Sequence, residues 1–146
     1  MTVLQLDDST GWLGDSLSGG ATEGAVLAAC DLPADWRSVE ERLVDAFHVA
    51  RRCVTQGAPL VYVVHSEDVR GTRSPLASAL ATALVGCARA VAYEFEREGV
   101  SANVVALPDD VDRSAAARVI GGLLADPVLT GELLDLGSSK LGKVQP

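Results

Sequence analysis

The residues best suited to acid–base chemistry stand in one short segment of the chain. His65 ends a predicted buried strand, and Ser66 and Asp68 follow it closely. A histidine beside a carboxylate can move protons near neutral pH, and α/β proteins place their sites at the carboxyl ends of strands. His65, Ser66 and Asp68 are therefore one candidate catalytic set, for a small carbonyl or acyl compound. The alternative is an ordinary polar loop that joins two elements.

Other catalytic and metal-binding patterns are missing from the sequence. The second histidine, His48, lies on a predicted helix, and no HxxxH or HxH pair occurs. Cys30, Cys53 and Cys87 are widely spaced, which predicts reduced thiols rather than a metal site or disulfides. There is also no GxSxG nucleophile motif and no phosphate-binding P-loop. We therefore expect no metal.

Composition bounds the class of protein. The 146 residues carry 12 basic and 20 acidic side chains, a formal charge of −8, which argues against nucleic acid or an anionic membrane surface as a partner. With 48% hydrophobic and 22% charged residues, the chain is expected to fold as one domain. No apolar run is expected to span a membrane, and the first residues lack a basic signal-peptide start. A cytoplasmic protein is expected.

Strands and helices alternate along the chain. Apolar segments predict five strands, at 3–6, 24–30, 59–64, 100–107 and 132–136. Apolar residues spaced three or four apart predict three helices, at 35–54, 75–97 and 112–126. Alternation of this kind predicts parallel βαβ units. The expected fold is α/β, a shortened Rossmann-like parallel sheet flanked by helices.

The predicted helix at 75–97 is apolar on two neighbouring faces. The larger side chains form one face, which contains Leu76, Leu80, Leu84, Cys87, Val91 and Phe95. One sheet cannot bury both faces, so either the helix is fully internal or its second face binds another molecule. We favour the second interpretation, because a single domain of this size leaves little protein to cover the helix. The predicted interface contains Phe47, Ala77, Ala81, Val85, Ala88 and Ala92.

The order and spacing of these segments resemble the short-chain dehydrogenase/reductase family. Residues 36–51 are similar to that family's fourth helix, and residues 60–64 to its fifth strand. The segments ALVGCARAVAYE at 83–94 and REGVSANVVA at 97–106 resemble its fifth helix and sixth strand. Residues 124–134 resemble its closing helix, turn and strand. The resemblance covers residues 36–137 and implies the fold of the family.

The first thirty residues allow two alignments with the family. In one, residues 9–31 are a shortened first strand, glycine turn, helix and second strand, with Gly11 and Gly14 at the pyrophosphate and Asp31 near the ribose of a dinucleotide. In the other, residues 25–30 replace the family's fourth strand and everything earlier is a remnant. Under both alignments a large block of the nucleotide-binding half is missing.

Two acidic residues also stand in the expected cofactor turn. Asp8 takes the place of the first glycine, and Asp7 precedes it. Carboxylates there would repel the phosphates and crowd the turn. No cofactor is therefore expected, and residual NAD(P) binding is the alternative.

The resemblance also implies a catalytic mechanism, but this chain has other residues at the positions of the family's catalytic side chains. Family members reduce carbonyls or oxidise alcohols with NAD(P), using a tyrosine, a lysine four residues later, a serine and an asparagine. The alignment places Ala77 at the tyrosine, Ala81 at the lysine and Arg42 at the asparagine. The serine falls near Val64 or His65. Alanine cannot donate a proton, so the usual mechanism is not expected from this chain.

No shift of the alignment restores the tyrosine–lysine pair. The only lysines are Lys140 and Lys143, in the polar tail, and the only tyrosines are Tyr62 and Tyr93. Tyr93 with Arg97 imitates the spacing, but both fall late in their helix, so we interpret that pair as structural.

The sequence therefore predicts a catalytically degenerate, shortened member of the family. We expect a non-catalytic subunit that associates through its two long helices, with itself or with a full-length oxidoreductase of the family whose active site it supports. The single domain is expected to comprise a degenerate region at 1–31, a core at 32–137 and a tail at 138–146. The alternatives are an enzyme with a site at His65, Ser66 and Asp68, and a residual NAD(P)-binding protein.

Overall fold

A five-stranded parallel sheet forms the centre of the molecule. The computed structural model describes residues 2–18 and 23–137, so Lys140, Lys143 and the predicted tail at 138–146 lie outside the described residues. The strands follow one another across the sheet in chain order, and each is parallel to its neighbours. They are β1 Thr2–Gln5, β2 Gly24–Ala29, β3 Leu60–His65, β4 Ala102–Leu107 and β5 Leu133–Asp135. The predicted fold class is confirmed.

Helices cover both faces of this sheet. They are α1 Trp12–Leu17, α2 Trp36–Gln56, α3 Ser66–Val69, α4 Pro75–Glu94 and α5 Arg113–Ala125. Helices α2 and α4 pack on one face, where Tyr62 and Leu84 belong to one buried cluster. Helices α1 and α5 pack on the other face, where Leu13 and Ile120 are fully buried. The middle strand β3 is buried along its whole length, because helices lie against both of its faces.

The position of β2 decides between the two alignments of the first thirty residues. In a doubly wound sheet of order 3-2-1-4-5-6, the strand between the first and the fifth is the fourth. Here β2 pairs with β1 on one side and with β3, which resembles the fifth strand, on the other. Residues 25–30 therefore take the place of the fourth strand, and the missing block corresponds to the second and third strands.

The crossovers between neighbouring strands do not all have the same hand. All strands step across the sheet in the same direction, yet α1 lies on one face and α2 on the other. Because α5 lies with α1 and α4 lies with α2, the crossovers through α1 and α5 have the opposite hand to those through α2 and α4, although such connections nearly always share one hand. Helix α1 is held on its face by Leu13 and Leu17, which pack into the cluster around α5.

Helix α2 begins and ends where the sequence predicts. The Asp35 carboxylate accepts a hydrogen bond from the Ser38 backbone N–H at 2.8 Å, which makes Asp35 the N-cap. The helix stops at Gly57, whose φ of +64° is a left-handed conformation that glycine adopts without strain. The same Ser38 N–H, aided by the Ser38 hydroxyl, holds the pKa of Asp35 below its usual value.

This cap makes part of the stability of α2 dependent on pH. A carboxyl group whose pKa is lower in the folded than in the unfolded chain stabilises the fold above its unfolded pKa, near 4, and stops doing so as the pH falls through the folded value. We expect Asp35→Ala to lower the melting temperature at pH 7 and to have a much smaller effect at pH 2. Asp35→Asn keeps a capping oxygen without the charge, so its effect should vary little with pH. An Asp35→Ala effect of equal size at both pH values would contradict this.

Helix α4 is rotated about its axis relative to the prediction, so that the alanines expected on its outer side face inward. Ala77, Ala81, Ala88 and Ala92 are buried, with Ala81 only 1% exposed, and Val85 is half-buried. The prediction that these four alanines form an interface is therefore wrong, since both predicted apolar faces pack within the molecule. Helical spacing shows which residues share a face but not which face meets the sheet. The side turned outward instead carries Thr82, Gly86, Arg89, Ala90 and Tyr93, with Ala79 half-buried.

Helix α4 is apolar over most of its length, although Arg89 is exposed on its outward side. Among the described residues, α4 is long and apolar enough to cross a membrane by length and composition alone, contrary to the expectation that no run would be. In the structure its inner side packs against β3 and β4, as expected for a helix in an α/β layer. Phe47, the remaining predicted interface residue, is 61% exposed on the neighbouring helix α2.

Candidate functional site

The carboxyl edge of the sheet holds a small cavity. Its volume is about 140 Å³, and its lining comes from the segment after β1 and from the ends of β2, β3 and β4. Thr10, Cys30, His65 and Asp109 are among the lining residues, and Arg113 at the start of α5 stacks over the Trp12 ring at 5.5 Å. This is the edge at which α/β proteins bind ligands.

His65 lies in this cavity with both ring nitrogens engaged. Its Nδ1 accepts a hydrogen bond from the Glu67 backbone N–H at 3.2 Å, and its Nε2 lies 3.0 Å from Oδ1 of Asp109. Because Nδ1 is an acceptor, the ring proton belongs on Nε2 and is donated to Asp109. The neutral ring therefore has no free lone pair with which to remove a proton from a substrate. The local geometry makes His65 a cap for α3 and an anchor for the segment after β4.

Ser66 belongs to a different group of contacts. Its hydroxyl donates to Oδ1 of the buried Asp135 at 2.6 Å, and Arg70 donates to the other oxygen of Asp135 at 2.9 Å. The Gly137 backbone N–H donates to the same carboxylate at 2.8 Å. These contacts attach the segment after β3 to the end of β5.

Asp68 is held by an arginine rather than directed at a ligand. Nε of Arg73 donates to the buried Asp68 carboxylate at 2.8 Å, and Nη2 of Arg73 donates to the Cys30 carbonyl at 2.5 Å. The hydrogen bonds with Asp68 raise the pKa of Arg73, which keeps the guanidinium charged. His65, Ser66 and Asp68 therefore have three separate partners, and their contacts join strands instead of converging on one reacting atom.

Two carboxylates accept hydrogen bonds from the backbone N–H groups at the ends of β1 and β2. Asp31 accepts hydrogen bonds from the N–H groups of Asp8 and Ser9, at 3.0 and 3.3 Å. Asp7 accepts from the N–H groups of Cys30 and Asp31, at 2.5 and 2.7 Å. Each carboxylate thus closes the end of the neighbouring strand. The alignment that placed Asp31 near a ribose is wrong, because its carboxylate is turned to the chain's own backbone.

The two glycines of the predicted cofactor turn have ordinary conformations. Gly11 has φ of −51° and caps α1, while Gly14 lies inside α1. A Cβ atom on either residue would meet its nearest neighbour at 3.7 or 3.6 Å, an ordinary contact distance. Neither glycine is needed for a close backbone approach to a ligand. Together with the occupied amides, this geometry does not fit the pyrophosphate of NAD(P) at the end of β1.

The positions aligned with the family's tyrosine and lysine are filled by the protein itself. Ala77 is 3% exposed and Ala81 is 1% exposed, on the inner side of α4. Tyr93 is 88% exposed near the far end of α4, away from the carboxyl edge. Arg42, at the aligned asparagine, donates to the Asp31 carbonyl at 3.1 Å. None of these arrangements supplies an acid at the carboxyl edge.

Burial disfavours the thiolate form of the cysteines, and the described acidic groups do not form a metal site. Burial raises the pKa of Cys53 to about 11 and raises the pKa of Cys30 and Cys87 above the usual thiol range. All three cysteines are free. Within residues 2–18 and 23–137, no group of three or more His, Cys, Asp or Glu side chains could hold a metal ion.

A second concave feature lies between α2 and α4, away from the sheet edge. It is an apolar groove of about 290 Å³ between the second halves of the two helices. Phe47 and Val54 line it from α2, and Ala90 and Val91 line it from α4. We call this groove, with the outward side chains of α2 and α4, the outer face. Sequence spacing identified Phe47 as part of it but missed the outward residues of α4.

Comparison with known proteins establishes the fold. No family model matches the sequence, and no curated protein matches it. Solved structures do match. BdcA (YjgI) from E. coli has a TM-score of 0.58 and 19% identity, over 92% of this chain and 96% of that one. An oxidoreductase of the short chain dehydrogenase/reductase family from Burkholderia thailandensis has a TM-score of 0.61 and 20% identity, over 90% and 70% of the two chains.

A third structure agrees with these two. Acetoin dehydrogenase YohF from Salmonella typhimurium has a TM-score of 0.57 and 17% identity, over 90% of this chain and 70% of that one. The predicted short-chain dehydrogenase/reductase-like fold is therefore confirmed.

Proposed function

We propose that this chain is a non-catalytic subunit with a short-chain dehydrogenase/reductase-like fold. It associates through the outer face with a full-length oxidoreductase of that fold and supports the partner's active site. One contrast carries the proposal. The positions aligned with the proton-transfer residues are buried alanines, whereas α2 and α4 carry large apolar side chains that remain exposed among charged ones, including Phe47 and Tyr93.

The exposed aromatic and aliphatic side chains give the outer face its binding potential. Trp36, Val44 and Phe47 on α2 and Tyr93 on α4 are all more than half exposed. Burying one such side chain contributes roughly 1.5–3 kcal/mol, and large apolar patches on soluble proteins mark interaction sites. A partner of the same fold can present two matching helices to this face.

The hydrogen bonds at the carboxyl edge of the sheet also support the proposal. His65 has no free nitrogen, Ser66 and Asp68 bind other parts of the chain, and Asp31 occupies the amides at the end of β1. Contacts that connect strands stabilise a scaffold, whereas a catalytic site needs groups left free for a substrate.

The test is association with a full-length oxidoreductase of this fold from the same cell. We expect a mixed complex by light scattering, and we expect Phe47→Asp to weaken it about 30-fold or more, because a charge would replace a central apolar contact. Val128→Asp is the matched control, since Val128 is 77% exposed but lies outside α2 and α4. A partner whose stability and activity do not change on mixing would contradict the proposal.

Two other results would replace the proposal with an alternative. Saturable NADH or NADPH binding by the isolated chain, abolished by Asp31→Ala, would favour a cofactor-binding protein. Turnover of a small carbonyl or acyl compound, abolished by His65→Ala, would favour an enzyme with its own site.

A further inference from the structure

Strand β1 forms one edge of the sheet. It pairs with β2 on one side, and no strand among residues 2–18 and 23–137 pairs with its other side. In a sheet of order 3-2-1-4-5-6 the first strand is internal, because the second strand pairs with it there. The missing block of strands therefore leaves β1 as an edge whose outward backbone groups are available for pairing with another strand.

The register of the sheet identifies the residues of β1 that direct their backbone groups outward. The Ala25 N–H donates to the Pro59 carbonyl, so Ala25 directs its backbone groups toward β3. This direction alternates along a strand, so the residues on either side of Ala25 face β1. Val3 is level with Ala25 and must bond to those two residues. Its neighbours Thr2 and Leu4 therefore direct their N–H and C=O groups away from β2.

This edge lacks the charged side chains and the proline that often prevent strand pairing in natural proteins. The sequence of β1 is Thr-Val-Leu-Gln. Beside its carboxyl end lies an open cavity of about 310 Å³, which Gln5 and Leu6 line from the strand and Arg42 and Asp45 line from α2. The described side chains therefore leave space beside this edge.

Two charged side chains of α2 flank the edge. Nε2 of Gln5 donates to the Asp45 carboxylate at 2.9 Å, which places Asp45 beside the carboxyl end of β1. Arg52 lies seven residues later on the same side of α2, about 10 Å along a helix that runs antiparallel to the strands, so it is level with the amino end of β1. Both side chains are exposed, and neither forms a salt bridge within the described part of the chain. Val54, which lines the groove toward α4, lies on the opposite side of α2.

An antiparallel pair of β1 strands matches these charges. In a two-fold arrangement the amino end of one β1 lies beside the carboxyl end of the other, so Arg52 of each copy comes level with Asp45 of the other. An axis at Leu4 also joins the two Leu4 backbones by two hydrogen bonds and brings their half-buried side chains together. A strand from an unrelated protein would require no such charge symmetry within this chain.

We infer that a second copy of this chain adds its β1 strand to the first, antiparallel, with the two-fold axis at Leu4. The two sheets then form one continuous sheet of ten strands, and the two α2 helices lie side by side over the join. This surface is separate from the outer face, so the inference goes beyond the proposed function. The dimer presents two outer faces, one for each of two oxidoreductase molecules.

A cysteine at the axis tests the arrangement directly. Opposed residues of a hydrogen-bonded antiparallel pair have their Cα atoms about 5.5 Å apart, which is within the range of a disulfide. We expect Leu4→Cys to form a covalent dimer under mild oxidation. Leu6→Cys is the matched control, because Leu6 is also a half-buried leucine packed against the cluster around α5, but its two copies would lie about 13 Å apart. The control should cross-link no more than the wild type.

A proline on the edge tests whether the outward backbone groups are used. The Leu4 N–H is directed away from β2, so Leu4→Pro removes a donor to the second copy and leaves the hydrogen bonds to β2 in place. Leu4→Ala is the matched control, since it removes the side chain but keeps the N–H group. We expect the dissociation constant of the dimer to rise roughly tenfold more for Leu4→Pro than for Leu4→Ala.

Charge reversal tests the same arrangement from α2. Arg52→Glu places acidic groups together at both ends of the join, and we expect the dissociation constant to rise roughly tenfold in low salt. Asp45→Lys combined with Arg52→Glu restores opposite charges at both ends and should recover most of the lost affinity. Sedimentation equilibrium measures these effects, and circular dichroism checks that each variant folds.

All these variants are made in the Phe47→Asp background, so that association through the outer face does not contribute. A chain that stays monomeric there at tens of micromolar, or a Leu4→Cys variant that cross-links no faster than Leu6→Cys, overturns the inference and leaves oxidoreductase binding to be judged on its own assay. A dimer that cross-links at Leu4, formed by a chain that binds no oxidoreductase even with Phe47 intact, supports the inference and contradicts the proposed function.

Discussion

Ala81→Lys is expected to lower the free energy of unfolding by about 3 kcal/mol or more, because it would place an ammonium group where a 1% exposed methyl now packs. Ala81 belongs to the buried cluster between α4 and the sheet, and its described neighbours there are apolar. An unpaired charge in such surroundings is either forced out by a local rearrangement or neutralised, and both cost stability. Urea denaturation followed by circular dichroism measures the change.

The same experiment shows whether the aligned catalytic position is vacant or filled. Ala125→Lys is the matched control, because Ala125 is an exposed alanine in helix α5, and its effect should stay within about 0.5 kcal/mol. Ala77→Tyr combined with Ala81→Lys should not produce NAD(P)H-dependent reduction of carbonyl compounds, since both side chains would have to enter packed space. A stable, active double variant would show that only the two side chains, and not the surrounding site, had been lost.

Arg73→Ala is expected to destabilise the fold by about 3 kcal/mol, because it leaves the Asp68 carboxylate buried without its counter-ion. The change also removes the hydrogen bond to the Cys30 carbonyl, so the segment between β3 and α4 loses its attachment to β2. The expected result is a lower midpoint of urea denaturation with an unchanged slope, since the folded core itself is retained.

A surface ion pair provides the comparison for that experiment. Arg37 and Glu41 are one helical turn apart on α2, and both side chains are more than half exposed. Arg37→Ala should therefore cost less than about 0.5 kcal/mol. Equal effects for Arg73→Ala and Arg37→Ala would mean that the Asp68 pair does not secure the segment, and that this part of the carboxyl edge is free to open.

Local sequence signals were sufficient to locate the main elements. The cap at Asp35, the glycine at Gly57 and the proline at the start of α4 act through neighbouring backbone atoms, so their effects can be read without knowing the rest of the fold. The three inner strands β2, β3 and β4 were visible because strands that are buried on both faces are almost entirely apolar. The four-residue helix α3 escaped prediction, since so short a helix leaves no periodic pattern.

The contacts at the carboxyl edge had no comparable signal. Asp7 was expected to repel a phosphate, and it instead accepts the backbone N–H groups of Cys30 and Asp31, more than twenty residues away. Asp135 and Arg70 were not singled out at all, although they join β5 to the segment after β3. Such pairs depend on which strand ends meet, and that is a property of the sheet order.

The sequence by itself determined the α/β class, the approximate positions of the long elements and the absence of a tyrosine–lysine pair, because composition and short-range periodicity depend only on neighbouring residues. The tertiary structure alone decided which side of α4 is buried, where β2 lies in the sheet and what His65, Asp68 and Asp31 contact. The physical reason is that a helix repeats its pattern on every side of its axis, and only packing against the sheet selects the side that faces inward.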